Sequence, residues 1–139
     1  MSYLIREMTI EDYEQAYQLW NDTDGIGLSD ADSRENIMAY IIRNPGLSYV
    51  AVDQDQIIGT GLCGHDGRRG YLHHIVVHQN YQKQDIGRAL VEICVKGLQK
   101  IGIKKCHIFV YRNNDEGKTF WEHLGWKIRH ELDIMSLDI

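Results

Sequence analysis

The chain has 139 residues, enough for one domain to bury a core without disulfide or metal staples. Its hydrophobic fraction of 43% and charged fraction of 25% exclude a disordered chain, which combines low hydrophobicity with high charge. The formal net charge of -5 excludes the basic footprint of a nucleic-acid binder, so no nucleic acid is expected as a partner.

In chain order, residues 3–8 alternate apolar and polar side chains and predict a first strand. Thr9 followed by Glu11 and Asp12 reads as a helix start, with acids at the positive end of the dipole. Ile10, Tyr13, Ala16, Tyr17 and Trp20 then recur at helical spacing. After the polar loop NDTDGIGLSDAD, a second helix begins at Asp32 or Ser33 and carries Ile37, Ile41 and Ile42. Pro45 ends it, because the residue before a proline disfavours helix. Residues 47–52 and 57–64 predict a hairpin across the turn DQDQ, and residues 71–77 add a third strand of a meander. Ile86, Ala89, Leu90, Ile93, Cys94, Leu98 and Ile101 form the clearest helical stripe, closed by Gly102. Residues 105–111 read as a short central strand, residues 115–124 as a helix, and WKIRHELDIMSL as one or two final strands.

The order is thus βααβββαβαβ(β), an α/β (α+β) arrangement. It predicts a mixed, mostly antiparallel central sheet of six to seven strands with helices on both faces, in a single domain spanning residues 1–139. Cys63, Cys94 and Cys106 are odd in number and widely spaced, which fits reduced thiols serving as small core hydrophobes. MSYLIREM carries Glu7 and lacks the apolar core of a signal peptide, and no run is long enough to span a membrane. The expectation is a cytoplasmic protein without a membrane partner.

The chemistry concentrates in HHIVVHQNYQKQDIGRALVEICV, residues 73–95. A strand, a polar loop and a helix start follow one another, which is the layout of an anion cradle. Unpaired N–H groups of the first helical turn and the helix dipole attract phosphate there. Lys83 and Arg88 add positive charge, and Gly87 permits close approach to the backbone. Asp85 places a carboxylate at the mouth of this loop. An aspartate is a favoured helix cap that tolerates left-handed geometry, and its charge can turn to solvent or pair with Lys83 or Arg88.

The stretch IVVHQNYQKQDIGRALV resembles the acyl-CoA signature of the GNAT superfamily of N-acetyltransferases. Ile75 and Val77 end the strand, Tyr81 supplies the aromatic residue, and Gln82, Asp85 and Gly87 fill the motif positions. A second signature matches Asn114, Gly117, Phe120, Trp121, Gly125 and Trp126 in register. The element order agrees over the whole chain, and GHDGRRGYL resembles the small YpeA-type bacterial members. The resemblance implies a GNAT-like acyl-CoA N-acyltransferase fold, with acetyl-CoA as co-substrate and an amine as acceptor. It implies that backbone N–H groups of Gln82, Lys83, Gln84, Asp85, Ile86, Gly87 and Arg88 hold the pyrophosphate. The pantetheine arm would pair with the free edge of Ile75, Val76 and Val77, as an added strand does. The N–H of Ile75 would stabilise the oxyanion, and Asn114 and Trp121 would belong to the coenzyme wall.

An amine must lose a proton before attack, and His73 is the candidate base, since an imidazole with a pKa near ~6.5 works at neutral pH. By the two-residue period of a strand it shares a face with Tyr71, Ile75 and Val77, while His74 and His78 take the opposite face, structural or exposed. Trp121 stands where the family often has the tyrosine that protonates the thiolate, and indole cannot replace it. Tyr111 is a distant substitute, expected in the core. A thiolate of pKa near ~8.5 leaves without full protonation.

Asp22, Asp24, Asp30 and Asp32 lie in a loop without lysine or arginine, either as solvated caps or as a field that draws cationic amines. DTDGIG breaks the calcium-loop alternation at Ile26, and the histidines cross both strand faces, so no metal is expected. The competing reading is a non-catalytic acyl-CoA-binding or regulatory module on the same fold. A hydrolase using Cys63 has no motif behind it. The chain leaves room for a homodimer.

Overall fold

The computed structural model describes residues 2–139. Five strands, β1 (Leu4–Glu7), β2 (Tyr49–Asp53), β3 (Gln56–His65), β4 (Gly70–Val77) and β5 (Cys106–His107), form one sheet in sequence order. The first four pair antiparallel and β4 pairs parallel with β5. The helices are α1 (Tyr13–Asn21), α2 (Arg34–Arg43), α3 (Ile86–Lys100) and α4 (Asp115–His123). The described residues divide into two compact units: one ends at Phe109 and holds the sheet with α1–α3, the other is Val110–Ile139 and holds α4.

Local chemistry accounts for the boundaries. A 3-10 turn, Ile10–Asp12, precedes α1, and the Thr9 N–H donates to the Asp12 carboxylate at 2.9 Å. That carboxylate also takes both Arg6 nitrogens at 2.8 Å, which fastens β1 to α1. Burial alone would raise the Asp12 pKa, but the Arg6 guanidinium and the Thr9 N–H outweigh it and hold it low. Ser33 caps α2 by accepting from the Asn36 N–H at 3.2 Å. Gln54 and Asp55 both have positive φ (50° and 66°), as a two-residue hairpin turn requires.

The sheet is covered on both faces, as alternate residues of β2 show. Val50 packs with Trp20, Ile37, Leu62 and Val76 on the α1/α2 face. Ala51 packs with Ile58, Ile86 and Leu90 on the α3 face. Cys63 and Cys94 are buried and Cys106 is half-buried; none is in a disulfide. The adjacent Cys94 and burial push the Cys63 thiol up, which leaves it protonated and unsuited to nucleophilic attack.

The sheet has five strands, not six to seven. Residues 126–139 form no strand, and a turn interrupts their alternation: the Leu132 N–H reaches the Arg129 carbonyl at 3.4 Å, and Arg129 pairs with Glu131 at 3.0 Å. Side-chain alternation marks a segment with two faces, but a strand also needs an edge to take up its hydrogen bonds. Ile134, Met135 and Leu137 are exposed. Among the described residues no helix is long and apolar enough to cross a membrane.

Candidate active site

The loop after β4 is rigidly footed and open at its rim. The His78 N–H donates to the Ile58 carbonyl at 2.7 Å, and its Nδ1 accepts from the Asn80 N–H at 3.1 Å, opening a 3-10 turn, Gln79–Tyr81. The Tyr81 hydroxyl donates to the Asp53 carboxylate at 2.8 Å, tying the turn to the end of β2. Gln82 folds back and donates to the Val77 carbonyl at 3.3 Å. Lys83 and Asp85 are left-handed, with φ of 66° and 62°. Beyond them Ile86 is buried against Ala51, Ile58 and Leu90 and anchors the start of α3. The turn closes with the Ala89 N–H on the Asp85 carbonyl at 3.0 Å, so the amides of Ile86, Gly87 and Arg88 belong to the turn that a helix leaves without internal partners. Asp85 supplies no side-chain cap; its exposed carboxylate lies 4.0 Å from Arg88 Nε.

The strand leading to this loop has a free edge and a kink. β5 pairs with β4 only at Gly70 and Tyr71, so among the described residues no strand covers that edge from His73 to Val77. On the other edge Leu62 faces His73 and Thr60 faces Val76, which leaves His74 and Ile75 together opposite Gly61. This is a β-bulge, and His74 has a φ of 51°.

The bulge overturns the expected side-chain faces. Ile75 points to the α3 face, where a side chain at Gly61 would meet its Cδ1 at 3.0 Å. Val77 packs with Ile86 and Leu90 on that face. His73 stands opposite Leu62, on the α1/α2 face. It therefore shares a face with Tyr71 but not with Ile75 and Val77, because one extra residue shifts the alternation. His74, expected on the other side, also lies on the α1/α2 face, its ring 4.6 Å from that of Trp20.

His73 sits between the rings of Tyr40 at 6.3 Å and Phe109 at 6.0 Å. Burial pushes its imidazole below the usual value, the neighbouring His74 adds to this, and Asp32 opposes it. His74 Nε2 lies 2.7 Å from the Asp32 carboxylate. Asp32 is buried and also accepts from the Ser29 N–H at 3.1 Å, so it is withdrawn from the acidic loop. Asp22 accepts from Gln18 at 3.0 Å, and Asp24 and Asp30 are exposed. Sequence reasoning missed Asp32, Thr60 and Trp20 as neighbours of this strand; they belong to no motif, and only the bulge brings them to His74.

Within the second unit, Asn114 caps α4, its Oδ1 accepting from the Gly117 N–H at 3.0 Å. Trp121 lies between Phe120 and Trp126, with ring centroids at 5.2 and 4.8 Å. Tyr111, expected in the core, is exposed because it stands in the loop before α4.

The sequence profile of the Acetyltransferase (GNAT) family matches residues 13–126. An acetyltransferase of Photorhabdus laumondii is 28% identical over 131 residues, covering 94% of this chain and 91% of its own. One from Sodalis glossinidius is 27% identical over 132 residues, covering 95% and 92%. Among solved structures, the PaiA N-acetyltransferase of Thermoplasma acidophilum in complex with coenzyme A superposes with a TM-score of 0.82 at 24% identity, covering 93% of this chain and 92% of that one. An acetyltransferase from Streptococcus agalactiae gives 0.80 at 18% identity, covering 100% and 93%. The chain belongs to the GNAT family of acetyltransferases, and the group it transfers is the acetyl of acetyl-CoA.

Proposed function

We propose that the acceptor is a primary amine and that it attacks the thioester directly while both substrates are bound. The observation that carries this reading is the course of β4. Beyond Leu72 one strand offers a backbone edge that no other strand among the described residues pairs with, and it runs into the anion-binding loop at its carboxyl end. An extended pantetheine arm can add to that edge as a strand would, with its pyrophosphate on the amides of residues 82–88.

His73 suits the base because burial keeps it neutral, with a lone pair to take the amine proton. It need not share a side-chain face with Ile75, since a backbone amide lies in the plane of the sheet and is reached from either side. The amine lone pair forms the C–N bond, the carbonyl electrons move onto oxygen beside the Ile75 N–H, and the C–S bond then breaks to release the coenzyme thiolate. The proton passes from nitrogen to His73 and on to water. No side chain is required as the acid, which accommodates Trp121.

Calorimetric titration with acetyl-CoA, followed by free-thiol release over a panel of amines, tests this. Binding with amine-dependent thiol release is expected. Binding with no turnover on any amine or peptide would favour a coenzyme-binding module, for which the Asp85 carboxylate beside Arg88 is the feature in view. No binding would sink both.

A further inference from the structure

The left-handed residue at the centre of β4 is held from two directions. Its carbonyl accepts from the Thr60 hydroxyl at 2.7 Å, and that hydroxyl accepts from the Trp20 indole N–H at 2.8 Å. Its ring meets the Asp32 carboxylate at 2.7 Å, and the Tyr13 hydroxyl fixes the Asp32 carbonyl at 2.6 Å. Trp20 and Thr60 are fully buried, and Asp32 is 8% exposed. A non-glycine residue at a φ of 51° persists only where its surroundings over-determine it, and such residues gather at working sites. The next residue along is Ile75. A bulge takes its residues out of the regular ladder, so the direction of the Ile75 N–H follows from the His74 dihedrals rather than from β3.

We propose that Asp32, Thr60 and Trp20 are positioning residues for acetyl transfer: through the ring and carbonyl of His74 they lock the bulge so that the Ile75 N–H meets the acetyl carbonyl. This rests on the acetyl-transfer reading above. Asp32 leads into α2 while Thr60 belongs to β3, so the clamp also binds the segment before α2 to the strand that the coenzyme arm would line.

The test compares His74→Ala with His74→Gly and adds Asp32→Asn. Alanine removes the ring and resists positive φ, whereas glycine removes the ring and adopts it freely. With His74→Ala, kcat is expected to fall on the order of tenfold, less than for an oxyanion donor lost outright. Acetyl-CoA Kd should stay within about twofold, which marks an interaction made in the transition state. His74→Gly should recover most of the turnover, and Asp32→Asn should lie between. A second readout needs no turnover: the Ile75 amide resonance with acetyl-CoA against CoA. The two ligands should shift it differently in the wild type and in His74→Gly, and alike in His74→Ala. A wild type that binds acetyl-CoA but acetylates no amine would refute the amine reading, while the amide resonance still judges the clamp. Equal turnover in the alanine and glycine variants, a loss confined to melting temperature or coenzyme affinity, or an Ile75 amide blind to the acetyl group would each overturn it.

Discussion

The proton affinity of His73 follows from its surroundings more than from its own chemistry. Burial and the neighbouring His74 both disfavour the imidazolium, and Asp32 only partly offsets them. Tyr40, packed 6.3 Å away, is held protonated because burial pushes its phenol far above the usual value. The sign of the pH effect follows. A histidine whose folded pKa lies below the unfolded value of ~6.5 binds fewer protons folded than unfolded. Its contribution to stability is present above pH ~6.5 and declines as the pH falls toward the folded pKa. The acidic limb of kcat/KM should therefore have its midpoint below pH ~6.5, with the base fully competent at neutrality. His73→Ala should lower kcat by about 10²-fold, abolish that limb and leave acetyl-CoA affinity near wild type. Steady-state kinetics across pH with parallel calorimetry check this, and unchanged turnover would remove His73 from the mechanism.

At the scale of elements, the start of α3 explains how a carboxylate is tolerated in the loop proposed to hold phosphate. Asp85 serves as a left-handed hinge with a φ of 62°, its side chain turned out beside Arg88 rather than over the amides. A pyrophosphate bound as proposed would share Arg88 with it. Asp85→Gly keeps the hinge and frees the guanidinium, so acetyl-CoA should bind a few-fold tighter, in line with the ~1 kcal/mol ceiling for an exposed pair. Calorimetry on the two proteins reads it, and a weaker complex would mean that the carboxylate serves the coenzyme. The hairpin turn, the α3 stripe and the cap of α2 were legible because each depends on chemistry within a few residues. The faces of β4 were not. The period-two rule assumes an unbroken ladder, and nothing in HHIVV signals that one position is supernumerary. Asp32 is separated from His74 by 42 residues, so their pairing is a product of the fold.

For the whole molecule, packing is unevenly distributed. Among the described residues the buried hydrophobic core, from Met8 to Ile103, lies wholly in the unit that ends at Phe109. Residues 126–139 carry the alternation of a strand without forming one, and Met135 and Leu137 are 94% and 85% exposed. Backbone without secondary structure or burial opens at little free-energy cost, and proteases cut such backbone first. Brief proteolysis read by mass spectrometry should therefore cleave within residues 126–139 before any site in β1–β4 or α1–α3. Early cuts inside the sheet would contradict this distribution.

The bulge can also be viewed as a matter of residue count. Tyr71, His73 and Val76 face α1 and α2, while Leu72, Ile75 and Val77 face α3. With His74 struck out, those six would alternate without a break, each already on its present side. The alternation of these six would thus be served equally well by a strand one residue shorter; what His74 adds is its contact with Trp20 and its bonds to Asp32 and Thr60. His74 is surplus to the alternation of the strand though not to its contacts, and a left-handed backbone at such a position is what the proposed clamp on Ile75 would account for.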